Sequence, residues 1–296
     1  MKDSDIEILE KRDLITQSLR SFFHKHRFTE VQTPVRVRTP ALEEHIDAQE
    51  SGKLFLRTSP ELHMKRLLCA GHKRIFQIGP CFRKDECGQH HSPEFTMLEW
   101  YRANADYRDI LDDTQKLILA AAGNETISYQ GHQINLRPPW AEYTVSNAFM
   151  RFAGWDPVLN YDAARFDVDL VEKVEPHLPS DRPAVLTDYP VELAALARCR
   201  ADAVPVAERW ELYIGGLELA NAYSELTDVC EQRRRFDNCL EQRRAHGSEI
   251  YPVDTDFLSA LKNGMPPSGG VALGIDRLIM LLTDSASIND IISFKH

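Results

Sequence analysis

The stretch Arg209-Trp210-Glu211-Leu212-Tyr213-Ile214-Gly215-Gly216-Leu217-Glu218-Leu219-Ala220-Asn221-Ala222-Tyr223-Ser224-Glu225 decides the fold class. Two strand-like runs flank a Gly-Gly pair. Residues free to take positive φ between two strands predict a tight antiparallel hairpin. Asn221, Tyr223 and Glu225 share one face by the period of two. Glu218 falls out of phase with them, so a bulge or twist is expected near Leu219-Ala220. Carboxylates clustered on half-buried strands are costly unless a cation offsets them. Metal ions with phosphates, or an ammonium ligand, would supply that charge.

Outward from the hairpin, Phe95, Met97, Glu99 and Tyr101 alternate with Thr96, Leu98 and Trp100, which predicts a strand with two distinct faces. Leu54–Arg57 and Arg74–Ile78 read as further strands. A helix between them over Pro60–Cys69 is capped by Ser59. Ile15, Leu19 and Phe22 share a helical face within Ser4–Arg27. Asp109–Ala122 reads as a helix stopped by Gly123, and Glu231–Ala245 as a charged helix with a solvated face. Leu273–Leu282 reads as a closing helix entered from a glycine-rich stretch. Ile127–Tyr129 and Gln133–Leu136 form a second hairpin around Gln130-Gly131-His132. Residues 141–204 read as helical, punctuated by prolines. Strands and hairpins interspersed with helices predict an α+β domain, not a doubly wound parallel sheet.

Composition narrows the function classes. The 296 residues include 45 Asp and Glu against 35 Lys and Arg, a formal net charge of -10. An acidic balance argues against a broad phosphate-binding surface. No apolar run approaches the ~18 residues of a membrane helix, and the first ten residues lack the apolar core of a signal peptide, so a cytoplasmic protein is expected. The six cysteines lack C-x-x-C spacing and a four-ligand zinc pattern, so reduced thiols are expected.

Three segments carry chemistry. Phe82-Arg83-Lys84-Asp85 precedes His91-Ser92-Pro93-Glu94 at the foot of the Phe95 strand, and an arginine there can grip a phosphate through paired N–H donors. In Gly270-Val271-Ala272-Leu273-Gly274-Ile275-Asp276-Arg277, glycines admit a ligand close to the backbone and Arg277 opens a helix. It is not a P-loop, because no G-K-[ST] follows. The third segment is the hairpin with Glu211, Glu218, Asn221 and Glu225.

Together these segments resemble motif 2, motif 3 and the connecting hairpin of class II aminoacyl-tRNA synthetases, and Phe28–Pro34 resembles motif 1. Arg57–Leu62 and Glu218–Asp228 resemble lysyl-tRNA synthetases. Ser59–Leu68 and Pro93–Tyr101 resemble the short lysyl-synthetase-like family that ligates (R)-β-lysine to elongation factor P. The similarity covers nearly the whole chain and is weakest over 141–204. It implies a class II catalytic core, a mixed and mostly antiparallel sheet flanked by helices. A single domain over 1–296 is expected, with a helical insertion at about 141–204 and no anticodon-binding domain.

The resemblance also implies an ATP-dependent, AMP-forming ligase using Mg2+. Arg83 and Arg277 would be the catalytic pair, Arg83 on the α-phosphate and substrate carboxylate, Arg277 against adenine or the γ-phosphate. Lys84, Asp85 and Ser92 would lie beside ATP, Phe95 would stack on adenine, and Leu219 and Gly274 would border the nucleotide. Glu211 and Glu218 would hold Mg2+. Ser59, Pro60 and Glu61 would line the amino-acid pocket, with Glu61 near the amine closest to the carboxylate. Glu99, Tyr101 and Glu225 would hold the distal ammonium of (R)-β-lysine or lysine, and Asn221 would steady the carboxylate. His90 and His91 are either phosphate-meeting or solvated loop residues.

The chain departs from the family pattern at Lys84-Asp85, where F-R-N-E is common, at Ser92 for Asn and at Tyr223 for Phe. Ala272 stands where lysyl-tRNA synthetases carry Gly and the ligases carry Ala. The expected partner is elongation factor P, without stable tRNA binding, and the expected assembly is a homodimer. A tRNA-charging enzyme and a non-catalytic regulator are the alternatives.

Overall fold

Gly215 and Gly216 take φ of +60° and +79°, and across them Val206–Ile214 turns back into Leu217–Ser224. In the computed structural model, which describes residues 3–200 and 204–294, these strands lie inside a nine-stranded sheet. Eight strands form one path: β1 (Thr29–Glu30), β2 (Arg74–Phe82), β3 (Glu94–Ala103), β4 (Ala141–Thr144), β5 (Ala184–Tyr189), β6 (Val206–Ile214), β7 (Leu217–Ser224) and β8 (Ser268–Gly274). Their spatial order is β1-β2-β3-β8-β7-β6-β5-β4, and Cys199–Arg200 pairs with β6. The β1/β2 and β4/β5 pairs are parallel and the other pairs in the path antiparallel. This is the α+β architecture the patterning predicts, with the mixed, mostly antiparallel sheet that the resemblance implies.

The expected bulge is present. Leu212 pairs with Ala220 and Tyr213 with Glu218, leaving Leu219 as the extra residue on β7. The two faces of the sheet separate as the alternation demands. Leu98, Trp100, Trp210, Val271 and Leu273 join Leu19 of α1 (Asp3–Lys25) and Ile118 of α3 (Tyr107–Ala122) in one buried cluster. Leu278 of α5 (Ile275–Leu282) completes it. Each such buried side chain contributes about 2 kcal/mol. Helices α2 (Glu61–Cys69) and α4 (Val229–Ala245) frame the other end of the sheet, where Leu62, Leu68, Phe236 and Leu240 form a second buried cluster. No described helix is long and apolar enough to cross a membrane, and all six cysteines are free thiols.

Two expectations change. The glycine-rich approach to the last helix is a central strand: Leu273 belongs to β8, and α5 starts at Ile275. The glycines there answer close packing, since a Cβ at Gly269 would lie 2.6 Å from the Asp106 carbonyl oxygen and from Ile110 of α3. The stretch 141–204 is helical only in part. Val145–Phe152 and Ala163–Asp169 are helices, but β4 and β5 add to the sheet edge. Ala184–Thr187 is buried throughout, and such a continuous apolar run suits a strand covered on both faces.

On α4, Arg233 and Arg234 pair with Asp237 and Glu231, as a solvated helix face predicts, and the half-buried Arg235 pairs with Glu231 and donates to the Ala195 and Ala197 carbonyls. Arg243 departs from that pattern. It is fully buried and donates to the carbonyl oxygens of Glu43, Glu44, Ile46 and Glu249 and to the Asp47 carboxylate. It therefore ties loop 43–47 to the helix. Arg243→Met should destabilise the fold by about 3–5 kcal/mol, because these acceptors lose their donors together. Urea unfolding measures it, and a loss below about 1 kcal/mol would mean the loop holds itself.

Candidate active site

The face of the sheet opposite the main core carries two polar rows. Strand pairing aligns Glu211, Asn221, Ala272 and Glu99 in one row, and Arg209, Tyr223, Gly270 and Tyr101 in the next. Above these rows lies a cavity of about 400 Å³. A side chain at position 270 has no room: a Cβ there would sit 2.3 Å from Glu225 Oε1 and from the Tyr101 ring. Gly270 thus lets the tyrosine lie across the sheet toward Glu225.

One end of the cavity is acidic. Ser59 Oγ donates to Glu99 Oε1 at 2.6 Å and accepts from the Glu61 backbone N–H at 2.9 Å. Tyr101 donates its hydroxyl to Glu99 Oε2 at 2.9 Å. Glu99 is buried, and confinement together with the Glu61 charge pushes it up to about 8 despite those donors. Glu225, also buried, is raised to about 7 by confinement. Between Glu61 and Glu225 lies the Lys65 ammonium, 2.6 Å from one carboxylate and 2.5 Å from the other.

The other end is cationic. The Arg83 guanidinium lies 5.2 Å from the Phe95 ring centre and 3.5 Å from Glu86. Its Nε is buried without a partner, as is Asn221 Oδ1, so each keeps hydrogen-bonding capacity. Arg277 donates to the Glu218 carbonyl at 2.7 Å and to the His90 carbonyl at 3.2 Å, and sits 2.6 Å from His91 Nε2. Next to it Asp276 is gripped by Arg12 of α1 at 2.6 Å and by the Thr96 backbone N–H at 2.6 Å. That network joins the strand carrying Phe95 to the helix carrying Arg277. Ser92, Leu219 and Gly274 complete this end.

Glu211 and Glu218 share the wall between the two ends. Glu211 accepts from the hydroxyls of Tyr189 and Tyr213 at 2.6 and 2.7 Å and from Arg209 at 2.5 Å. Confinement, then the Glu211 charge, pushes Glu218 up to about 7. Two mutually repelling carboxylates on one wall form a donor set that a hard cation relieves.

Three residues expected at the site lie off it. Lys84 and Asp85 are exposed, because Asp85 takes a left-handed φ of +63° and turns the chain outward after Arg83. Glu86, one residue on, takes the place beside Arg83. Pro60 is buried at the α2 N-cap and does not line the cavity. Conversely, Glu43, Glu86 and Arg209 line the cavity and Lys65, buried behind its wall, pairs with two lining acids, and none of the four was anticipated. Arg209 had a signal, since it is two residues from Glu211 on one strand. So did Lys65, four residues after Glu61 on one helix.

A family profile described as "tRNA synthetases class II (D, K and N)" matches residues 1–296. The chain is 40% identical to a lysine–tRNA ligase of Carboxydothermus hydrogenoformans, over 96% of this chain and 64% of that one. It is 38% identical to one of Pelotomaculum thermopropionicum, over 97% and 63%, and 37% identical to one of Nostoc punctiforme, over 96% and 56%. The chain therefore belongs to the class II tRNA synthetase family, and it spans roughly three-fifths of the length of these relatives.

The buried acid at 99 makes a pH prediction. Its carboxyl rises from an ordinary 4.5 to about 8 in the folded protein. Between those values the native state keeps a proton that the unfolded chain has lost, so its stability contribution is full below 4.5 and is lost as pH rises through about 8. Glu99→Gln copies the neutral form and removes this loss. From about pH 5 to about pH 8 the variant's urea midpoint should fall less than that of the wild type. Equal slopes would show Glu99 ionised throughout.

Proposed function

We propose that the chain activates (R)-β-lysine, or lysine, with ATP and transfers the aminoacyl group to a lysine side chain of elongation factor P. One observation carries the activating half: a single cavity has carboxylates at one end and Arg83, Phe95 and Arg277 at the other. An amino acid with a distal ammonium and a nucleotide triphosphate, laid head to head, match that polarity.

In the first step a carboxylate oxygen of the amino acid attacks the α-phosphorus of ATP. The bond to the bridging oxygen breaks, and pyrophosphate leaves. The attacking group is already an anion, so no general base is needed. Arg83 and Arg277 stabilise the charge that develops on the phosphoryl oxygens, and alignment does the rest. Glu211 and Glu218 would hold Mg2+, which neutralises phosphate charge when bound. Phe95 offers its ring to the base, with Arg83 already at stacking distance. Glu61, Glu99, Tyr101 and Glu225 receive the amines, and the Asn221 amide meets the carboxylate end. In the second step a lysine ε-amine attacks the acyl carbon, AMP leaves, and the amine gives up a proton to form an amide.

Ala272 supports a β-amino acid. It lies between Asn221 and Glu99 in the row beneath the substrate, and its methyl lifts the floor where a glycine would leave space. A methyl in a pocket is worth about 1–3 kcal/mol of discrimination. Transfer to tRNA is the second reading, favoured by the activity named for the relatives. The acidic net charge of -10 supports the protein acceptor over a broad tRNA surface. A cytoplasmic homodimer built on the motif 1 segment completes the proposal.

Arg83→Ala should slow ATP–pyrophosphate exchange by about 100-fold or more, the effect of losing one preorganised donor worth ~3 kcal/mol. Near-normal exchange would remove the activating half of the proposal. The acceptor is decided separately. Activated (R)-β-lysine and α-lysine are each offered elongation factor P and lysine tRNA, and labelling of the protein is expected. Efficient tRNA charging without protein labelling would establish the second reading.

A further inference from the structure

Lys65 is a charged side chain with no exposed surface, reaching from α2 to the acidic end of the cavity. Its ammonium stands 2.6 Å from Glu61 Oε1 and 2.5 Å from Glu225 Oε2. The first partner is one helical turn away on its own helix. The second follows β7, more than 150 residues later in the chain. A buried ammonium survives only where carboxylates repay its lost hydration, and here two do so.

The charges at this end can be counted. Glu61, Glu99 and Glu225 are three carboxylates, and Lys65 is one ammonium. Glu99 takes its hydrogen bonds from the neutral hydroxyls of Ser59 and Tyr101. Fully ionised, as an incoming ammonium favours, the group is therefore left with two negative charges. A monoamino acid whose carboxylate faces Arg83 leaves one of them uncompensated. An amino acid with two ammonium groups leaves none. Without Lys65 the same three carboxylates would demand a third cation, or would take up a proton and lose their grip on an amine.

We propose that Lys65 is a positioning residue which, from behind the cavity wall, pins Glu61 to Glu225 and sets the amine end two charges short, making it the complement of a diamino acid. The inference rests on the amino-acid-activating reading above and adds to it a built-in cation that never leaves the protein. Lys65 does not touch the substrate. It acts through the two carboxylates it spaces, and it explains how two acids can approach one buried point without repelling each other apart.

The groups facing Lys65 are Glu61 and, more distantly, Cys69 on its own helix, Glu99 from β3, and Glu225 beyond β7. Lys65 holds down the carboxyls of Glu225 and Glu99 by its charge. Removing it raises both, so the acids should be more fully protonated near neutrality and recover their charge as pH rises.

The test is ATP–pyrophosphate exchange by wild type and Lys65→Met at about pH 6.5 and about pH 8.5, with KM taken separately for lysine and for ATP. The expected result is a lysine KM raised about tenfold or more at the lower pH, with the ratio to wild type shrinking at the higher pH. The KM for ATP should stay within about twofold, and Lys65→Arg should keep the wild-type pH profile. A ratio that ignores pH, or an ATP KM that rises in step, would mean general damage and would overturn the inference.

A second measurement stands if Lys65→Met does not fold. In wild-type protein labelled at lysine nitrogens, the Lys65 ammonium should exchange slowly with water, persist above about pH 10.4, and shift when lysine is added. An ammonium that titrates like a surface lysine would refute the ion pair. Should wild type exchange no amino acid at all, the activating reading fails, while the nitrogen signal still decides whether Lys65 bridges the two acids.

Discussion

Holding several charges on one face of a sheet is the constraint that organises this protein. A buried carboxylate is tolerated only with a cation or a set of donors beside it. Each acid of the cavity meets that demand differently. Glu211 is held by two tyrosine hydroxyls and Arg209. Glu99 takes two neutral hydroxyls and remains the hardest to ionise. Glu61 and Glu225 share one lysine. The opposite face of the same strands is mostly apolar and packs Trp100, Trp210 and Leu273 against helices, and its charged residues Arg102 and Glu208 are paired with Asp113 and Arg198. Alternation along each strand is thus the device that separates a stabilising core from a costly site.

Two local irregularities make the rows register. The extra residue Leu219 on β7 brings Glu218 back to the wall that holds Glu211, which strict alternation would have prevented. Gly270 gives the Tyr101 ring and Glu225 the space directly above the backbone. Neither irregularity stabilises the strand by itself. A glycine in a strand interior weakens it, and a bulge leaves one residue out of the ladder. Both are explained by what they deliver to the cavity.

Much of this was legible in the sequence, and the reason is periodicity. The hairpin at Gly215-Gly216, the two-faced strand from Phe95 to Tyr101 and the bulge all follow from counting residues by two. Misreadings fall where counting has no purchase. Ser268–Gly274 looks like a glycine loop because its reason for glycine, the backbone of α3 lying against it, comes from a distant segment. Lys84 and Asp85 sit in a turn whose left-handed residue redirects them outward. Glu43 reaches the site from a loop tied down by Arg243, some 200 residues away, and no local pattern announces such a tether. Strand β5 was hidden because a strand buried on both faces shows no alternation, and β4 because its four residues are too few to show one.

The two ends of the cavity differ in how firmly they are held, and the difference bears on specificity. At the acidic end each carboxylate is fixed by partners that are themselves buried or bonded, so an amine finds its receptors already in place and little ordering remains to be done. At the cationic end Arg83 retains a buried nitrogen without a partner and is only 3.5 Å from Glu86, a long ion pair. Arg277 leans on His91 and the His90 carbonyl in the loop ahead of Phe95, and on the Glu218 carbonyl of β7. Such contacts are readily exchanged for phosphate oxygens, which offer stronger, charge-assisted bonds. A rigid amine end and an exchangeable phosphate end suit a reaction in which the amino acid must be chosen before charge builds on phosphorus. On the proposed activating reading, discrimination resides in the acids and in Ala272, and the arginines are left to follow the charge as it moves.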